Sequence, residues 1–118
     1  MFINLRTVGN YTLMVVGALT ILSGIGTFFG TLDPLLEAWG IGNLAVLFGV
    51  MKIIIGALIL WNVTWLFGSL VAISYFGGAV ATHVAFESFN VQFGVVILVT
   101  IALWIGVLTK VYGDRQML

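Results

Sequence analysis

The sequence has no cysteine, one histidine and very few charged residues. Without cysteine, the chain cannot form disulfide bonds, thiol redox relays, cysteine-ligated zinc sites or iron–sulfur clusters. With a single histidine, a metal site would need oxygen ligands or a second chain, so we expect none here. Charged residues make up 7% of the chain, the formal net charge is +0, and no basic patch is present, which argues against nucleic-acid binding.

Long apolar runs make up most of the chain. Hydrophobic residues make up 62% of the chain and the mean hydropathy is +1.25, whereas a soluble domain carries about a quarter of its residues charged. Because bilayer hydrocarbon is about 30 Å thick, a spanning helix needs about 20 apolar residues. Four runs meet that requirement, at residues 11–29, 41–60, 63–86 and 91–111.

These runs predict an all-α fold, a four-helix transmembrane bundle that forms one integral membrane domain over residues 1–118. Their glycines recur at helical spacing rather than with the two-residue alternation of a barrel strand, and the loops are only a few residues long. Residues 31–39 predict a short helix in the membrane interface, with Asp33 as N-cap, Pro34 at the first helical position, and Leu35, Leu36 and Trp39 directed towards lipid.

Three cations at or beyond the ends of the first and last runs predict the orientation. Arg6 precedes the first run, and Lys110 and Arg115 lie at the end of the last. An even number of spans puts both chain ends on one side, and basic residues favour the cytoplasmic side. We therefore expect both termini in the cytoplasm of a prokaryotic cell, with the protein integral to the cytoplasmic membrane.

Lys52 is the most informative residue, because its neighbours within a helical turn are all apolar or glycine. Hydrocarbon cannot solvate an ammonium group, so an intramembrane lysine faces protein, a ligand or trapped water. Gly42, Ala45, Gly49 and Gly56 share its helical face, which is the small-residue pattern of a helix–helix contact. Lys52 is therefore expected to point into the bundle.

Other polar residues fall in the same outer half of the predicted bundle. From the helical rise, Lys52 lies about 16 Å below the outer end of its helix and His83 about 5 Å below the outer end of its own. With these two, the candidate ligand-binding residues are Ser23, Thr27, Asn43 and Glu87. Each residue also has an ordinary structural explanation. The hydroxyls of Ser23 and Thr27 can bond a carbonyl of their own helix, and Asn43 and Glu87 can lie at solvated helix ends. His83 can form an interhelical hydrogen bond, and Lys52 can bind backbone carbonyls or the acid of a partner subunit.

Three segments together resemble a known family. They are LTILSGI at residues 19–25, GVMK ending at Lys52 with Gly56 after it, and GAVATH ending at His83 with Trp65 near the start of its helix. In order and spacing they resemble the DoxX-like membrane proteins, named after a membrane subunit of an archaeal thiosulfate:quinone oxidoreductase. Members often carry a lysine after the first SGI, where this chain has Gly26 and Thr27. The resemblance therefore carries over to Lys52 and His83 but not to a two-lysine site.

Three functions stay open at this point. The favoured one is a non-catalytic accessory or assembly subunit of a larger membrane enzyme complex, such as a respiratory, quinone-linked one. The alternative is a stand-alone protein that binds a quinone, lipid or other hydrophobic ligand near Lys52 and His83. A proton or small-solute pathway ranks third, because the cytoplasmic half offers hardly any ionisable group. No nucleophile–base arrangement indicates catalysis by the chain alone. Expected partners are membrane lipids and other membrane subunits, or a second copy.

Overall fold

The structure is a computed structural model that describes residues 4–30 and 32–116. Its helices are α1 (Leu5–Phe28), α2 (Asp33–Ala38), α3 (Ala45–Leu60), α4 (Trp65–Ala85) and α5 (Val91–Gln116), and a 3-10 turn at Gly42–Leu44 leads into α3. No strand occurs in the described ranges. Four segments are long and apolar enough to span a membrane: α1, residues 42–60, α4, and residues 91–115 of α5. The all-α, four-helix integral membrane architecture is therefore confirmed.

The first and last long helices, α1 and α5, extend further than the apolar runs that predicted them. α1 begins at Leu5 rather than at residue 11, because the Asn4 side chain accepts a hydrogen bond from the Arg6 amide at 3.0 Å and caps it. α5 continues to Gln116 rather than stopping at residue 111. Arg6 Nε lies 2.9 Å from Asp114 Oδ1, so the two polar extensions pair with each other. Apolar runs mark only the part of a helix that lies in hydrocarbon.

The pairing of Arg6 with Asp114 marks what we call the terminal end of the bundle, where the start of α1 meets the end of α5. The opposite, far end carries α2 and the loop at residues 86–90. α1 packs against α3 on one side and α5 on the other, and α4 packs against α3 and α5. Only 17% of the α5 span is buried, against 33% for α1 and the α3 segment. Of the four spans, that of α5 is therefore the least buried.

Glycines bring α1 and α3 into direct backbone contact. A Cβ atom added at Gly24 would lie 2.7 Å from the Gly49 oxygen, and one added at Gly49 would lie 2.6 Å from the Phe28 nitrogen. A Cβ at Gly56 would lie 2.6 Å from the Gly17 oxygen. Distances under 3 Å leave no room for a side chain, so these glycines set how closely the two helices approach.

The packed core lies in the half of the bundle nearest the terminal end. Its members are apolar side chains from all four long helices: Leu13, Val16, Ile55, Ile59, Ala72, Phe76, Leu103 and Val107. No comparable apolar cluster fills the far half of the described bundle. The far half holds a cavity instead.

Candidate ligand-binding cavity

A half-open cavity of about 720 Å³ lies in the far half, bordered by the four long helices and roofed by α2. Its lining runs from Leu19 to Thr27 on α1 and from Ser74 to His83 on α4. At 1.5 Å per residue, the cavity extends about 12 to 14 Å along the bundle axis. Small-molecule sites occupy about 300 to 1,000 Å³ and are mostly apolar with a few placed polar groups. The cavity fits that description.

Most of the lining is aliphatic or aromatic. The polar side chains among the lining residues are Thr20, Ser23, Thr27, Trp39, Lys52, Ser74, Tyr75, Thr82, His83 and Gln92. Several hydroxyls are used within their own helix: Thr20 Oγ1 donates to the Val16 oxygen at 2.7 Å and Thr82 Oγ1 to the Gly78 oxygen at 2.8 Å. Among the described lining residues, Lys52 and His83 are the two with a basic side chain.

Lys52 is buried, with 7% of its surface exposed, and its ammonium group reaches across to α1. Lys52 Nζ donates to Ser23 Oγ at 3.1 Å and to Thr27 Oγ1 at 3.2 Å. Thr27 Oγ1 itself donates to the Ser23 oxygen at 2.9 Å, so its lone pairs stay available for the lysine. Because Ser23 and Thr27 are four residues apart on one helix, they present two acceptors on the same face.

The glycines of α1 and α3 make this contact possible. A Cβ atom at Gly24 would lie 2.8 Å from Lys52 Cβ, so the lysine stem lies directly over Gly24. Within the described part of the chain, no carboxylate lies within ion-pair distance of Lys52. Its two partners are neutral hydroxyls, and an ammonium group has three hydrogens to donate. The group therefore has donor capacity left beside an apolar cavity.

His83 lies at the far end of the cavity, with 2% of its surface exposed. Its Nδ1 lies 2.9 Å from the Ser88 backbone oxygen. The Trp39 ring meets the imidazole in a T-shaped contact, with centroids 4.7 Å apart, and Phe93 flanks it at 5.6 Å. The imidazole is therefore held on several sides by the roof and by the start of α5.

Residues 32–41, which include α2, form what we call the lid. Trp39 Nε1 donates to Ser88 Oγ at 3.0 Å and thereby ties the lid to the loop between α4 and α5. Gly30 and Gly40, at φ of +96° and +76°, flank α2, and glycine adopts such angles at little cost. The lid differs from the sequence prediction in two ways. Asp33 is the first residue of α2, while the N-cap is Leu32, which has no side chain able to cap.

The second difference concerns the apolar side chains of the lid. Leu36 is 4% exposed and Trp39 is half-buried against His83, so both face the bundle rather than lipid. The prediction failed here because a cavity lies beneath the lid and needs apolar cover. Thr31, which the prediction included in this segment, lies outside the described residues.

Four of the six predicted site residues line the cavity: Ser23, Thr27, Lys52 and His83. No hydrogen bond among the described residues joins Lys52 to His83. The other two predicted residues lie outside the lining. Asn43 is exposed in the 3-10 turn, and Glu87 is exposed in the loop after α4, with φ of +53°.

Sequence reasoning missed Tyr75, Thr82 and Trp39. A signal for Tyr75 was present, because Tyr75, Ala79 and His83 follow one another at four-residue spacing and share a helical face. Trp39 had no such signal, because its contact with His83 joins segments that are far apart in the chain.

The described residues contain no group of three His, Asp or Glu side chains that could hold a metal ion. The cavity offers one ammonium, one imidazole and a few hydroxyls within apolar walls. That chemistry suits the binding of an apolar molecule with an oxygen-bearing head group. Comparisons of the chain with protein-family models, with curated proteins and with solved structures gave no match, so the DoxX-like resemblance stays a prediction.

Proposed function

We propose that the protein binds a hydrophobic ligand within the membrane and holds the ligand's oxygen-bearing head group at Lys52. The ligand would be a lipid, a quinone or another apolar molecule with an acceptor or anionic head. Its apolar body would occupy the far-half cavity beneath the lid.

One observation carries this proposal: a buried lysine borders a largely apolar cavity of about 720 Å³, and its hydrogen-bond partners among the described residues are two hydroxyls. An ammonium group in a low-dielectric site is costly unless an opposite charge or several acceptors compensate it. A ligand oxygen at the remaining ammonium hydrogen would supply that compensation and gain a charge-assisted hydrogen bond. The same ligand would fill a space that the protein leaves unfilled.

A second candidate is the accessory or assembly subunit of a larger membrane complex, such as a respiratory one. The low burial of α5 favours this role, because that helix offers the most surface to a partner. Lipid covers such a surface equally well, so we rank this candidate below ligand binding. A proton or solute pathway ranks third, since apolar side chains from all four helices fill the terminal half.

The proposal is tested by purifying the protein from native membranes in mild detergent and analysing bound molecules by mass spectrometry. We expect one lipophilic molecule per chain that survives delipidating washes and is depleted in Lys52→Met. Stable protein partners together with an empty bundle would overturn ligand binding in favour of the accessory subunit.

For the location of the protein, we propose that both termini lie on the cytoplasmic side of a prokaryotic membrane. Arg6, Lys110 and Arg115 lie at the terminal end, whereas the far end carries Asp33, Glu37 and Glu87. This distribution of lysine and arginine supports that orientation.

A further inference from the structure

The hydrogen bond of His83 fixes which ring nitrogen carries a proton. A backbone carbonyl oxygen can only accept, so Nδ1, 2.9 Å from the Ser88 oxygen, carries the hydrogen and donates it. In the neutral ring, Nε2 then holds a lone pair and accepts hydrogen bonds. The T-shaped contact with Trp39 keeps the ring in this orientation.

Nε2 of His83 has no hydrogen-bond partner among the described residues. Every side-chain nitrogen or oxygen that is fully buried in that part of the chain has a hydrogen-bond partner. Because Nε2 has no partner, it cannot be fully buried and keeps some accessible surface. The side chain as a whole is 2% exposed, and the space that it borders is the cavity. An unpaired acceptor therefore belongs to a residue that lines the same cavity as the Lys52 donor.

We infer that the ligand is bipolar: it carries an acceptor oxygen for Lys52 and, separately, a hydroxyl that donates a hydrogen bond to His83 Nε2. This inference rests on the proposed function and adds the chemical class of the ligand. A purely apolar body packed against Nε2 would strip water from that nitrogen and leave it unpaired, which opposes binding. A hydroxyl on the ligand removes this penalty, because it donates a hydrogen bond to Nε2. A second carboxylate or carbonyl cannot, because its oxygen and Nε2 are both acceptors.

Lys52 and His83 favour opposite kinds of hydrogen-bonding group on a ligand. The ammonium donates and cannot accept, whereas neutral Nε2 accepts and cannot donate. The two groups would therefore orient the ligand within the cavity, with its acidic or carbonyl head at Lys52 and its hydroxyl at His83.

The probes are three straight-chain acids, octanoate, decanoate and dodecanoate, each with and without a hydroxyl on the terminal carbon. Affinities are measured by displacement of a bound fluorescent fatty acid from the protein in lipid nanodiscs. We expect the hydroxyl to strengthen binding about 3- to 10-fold in at least one pair, the gain typical of one net hydrogen bond. The gain should disappear in His83→Phe, which keeps an aromatic ring beneath Trp39.

A second readout needs no substitution. Because the chain has one histidine, ¹⁵N NMR of histidine-labelled protein reports its two ring nitrogens without ambiguity. The hydroxylated acid should shift the Nε2 signal, and its plain counterpart should not. Equal binding within every pair, with no difference at Nε2, would overturn the bipolar ligand and leave the proposed function standing. Failure of all six acids to bind the wild-type protein would count against the proposed function itself.

Discussion

At the residue scale, Lys52 has partners that explain how it is tolerated but do not neutralise it. Ser23 and Thr27 each accept one hydrogen bond from the ammonium group, and neither carries charge. Exchanging such a group for an apolar one is often neutral or stabilising in a protein interior. Because its partners do not neutralise it and it borders a cavity, Lys52 is best explained by what it binds.

Replacing Lys52 by methionine should keep the bundle folded, with an unchanged or higher melting temperature. Binding of decanoate should weaken about 10- to 100-fold, because hydrogen bonds to charged groups contribute about 1.5–3 kcal/mol. The measurement is a displacement titration in nanodiscs. Lys110→Met is the matched control, since Lys110 lies over Trp65 at the terminal end, away from the cavity. Equal affinity in the wild type and Lys52→Met would contradict a ligand-binding role for this lysine.

A site residue could be predicted from the sequence only where the spacing of residues along one helix determines which way its side chain faces. The small-residue face of α3 pointed Lys52 inward, and the structure places it against α1. Asn43 and Glu87 lie in the same half of the bundle but outside the lining, because depth alone does not tell which way a loop residue faces. The contact between Trp39 and His83 depends on where the lid lies and has no local pattern.

At the element scale, the contact between α1 and α3 depends on glycines that meet backbone atoms. Gly49→Ala should destabilise the protein by about 1–3 kcal/mol, the usual penalty for overpacking. The clash involves the Phe28 nitrogen and the Gly24 oxygen, which cannot move aside as a side chain could. The free energy of unfolding in mixed micelles measures the effect.

Gly77→Ala on α4 is the control, because a Cβ there meets no atom within 4 Å. Alanine should be neutral or stabilising by up to about 1 kcal/mol, since glycine is unfavourable within helices. A similar loss of stability in both variants would show that the α1–α3 contact has no special role.

The lid should be held down largely by Trp39. Trp39→Phe keeps an aromatic ring over His83 but loses the hydrogen bond from Nε1 to Ser88 Oγ. Hydrogen exchange at the Leu36 and Ile41 amides, both bonded within the lid, should become about 2- to 10-fold faster, because one hydrogen bond contributes about 0.5–1.5 kcal/mol. Trp61→Phe, in the exposed turn before α4, should leave these rates unchanged. Unchanged exchange in Trp39→Phe would show that other contacts hold the lid.

At the scale of the whole molecule, hydropathy was enough to predict four spanning helices and their order. It could not predict the extensions of α1 and α5, which are stabilised by Asn4 and by the pairing of Arg6 with Asp114 rather than by hydrocarbon. It also could not predict a cavity, because an apolar residue that borders empty space looks the same in sequence as one in a packed core. The division into a packed half and a hollow half comes from how the helices approach one another.

The orientation is testable because the natural chain has no cysteine. Single substitutions Asn62→Cys, in the turn between α3 and α4, and Ala38→Cys, in the lid, place one thiol at each end of the bundle. In intact cells, a membrane-impermeant maleimide should label Ala38→Cys and leave Asn62→Cys unlabelled until the membrane is opened. The reverse pattern would place both termini outside the cytoplasm.

The central claim is that a ligand enters the far-half cavity with its head at Lys52. Photo-crosslinking with a diazirine fatty acid in native membranes, followed by peptide mapping, tests this most directly. The account predicts adducts on cavity-lining segments between Leu19 and Thr27 and between Ser74 and His83, which excess decanoate suppresses and Lys52→Met reduces. Adducts confined to the lipid-exposed surface, such as Leu98 and Leu108 on α5, and insensitive to decanoate, would contradict it.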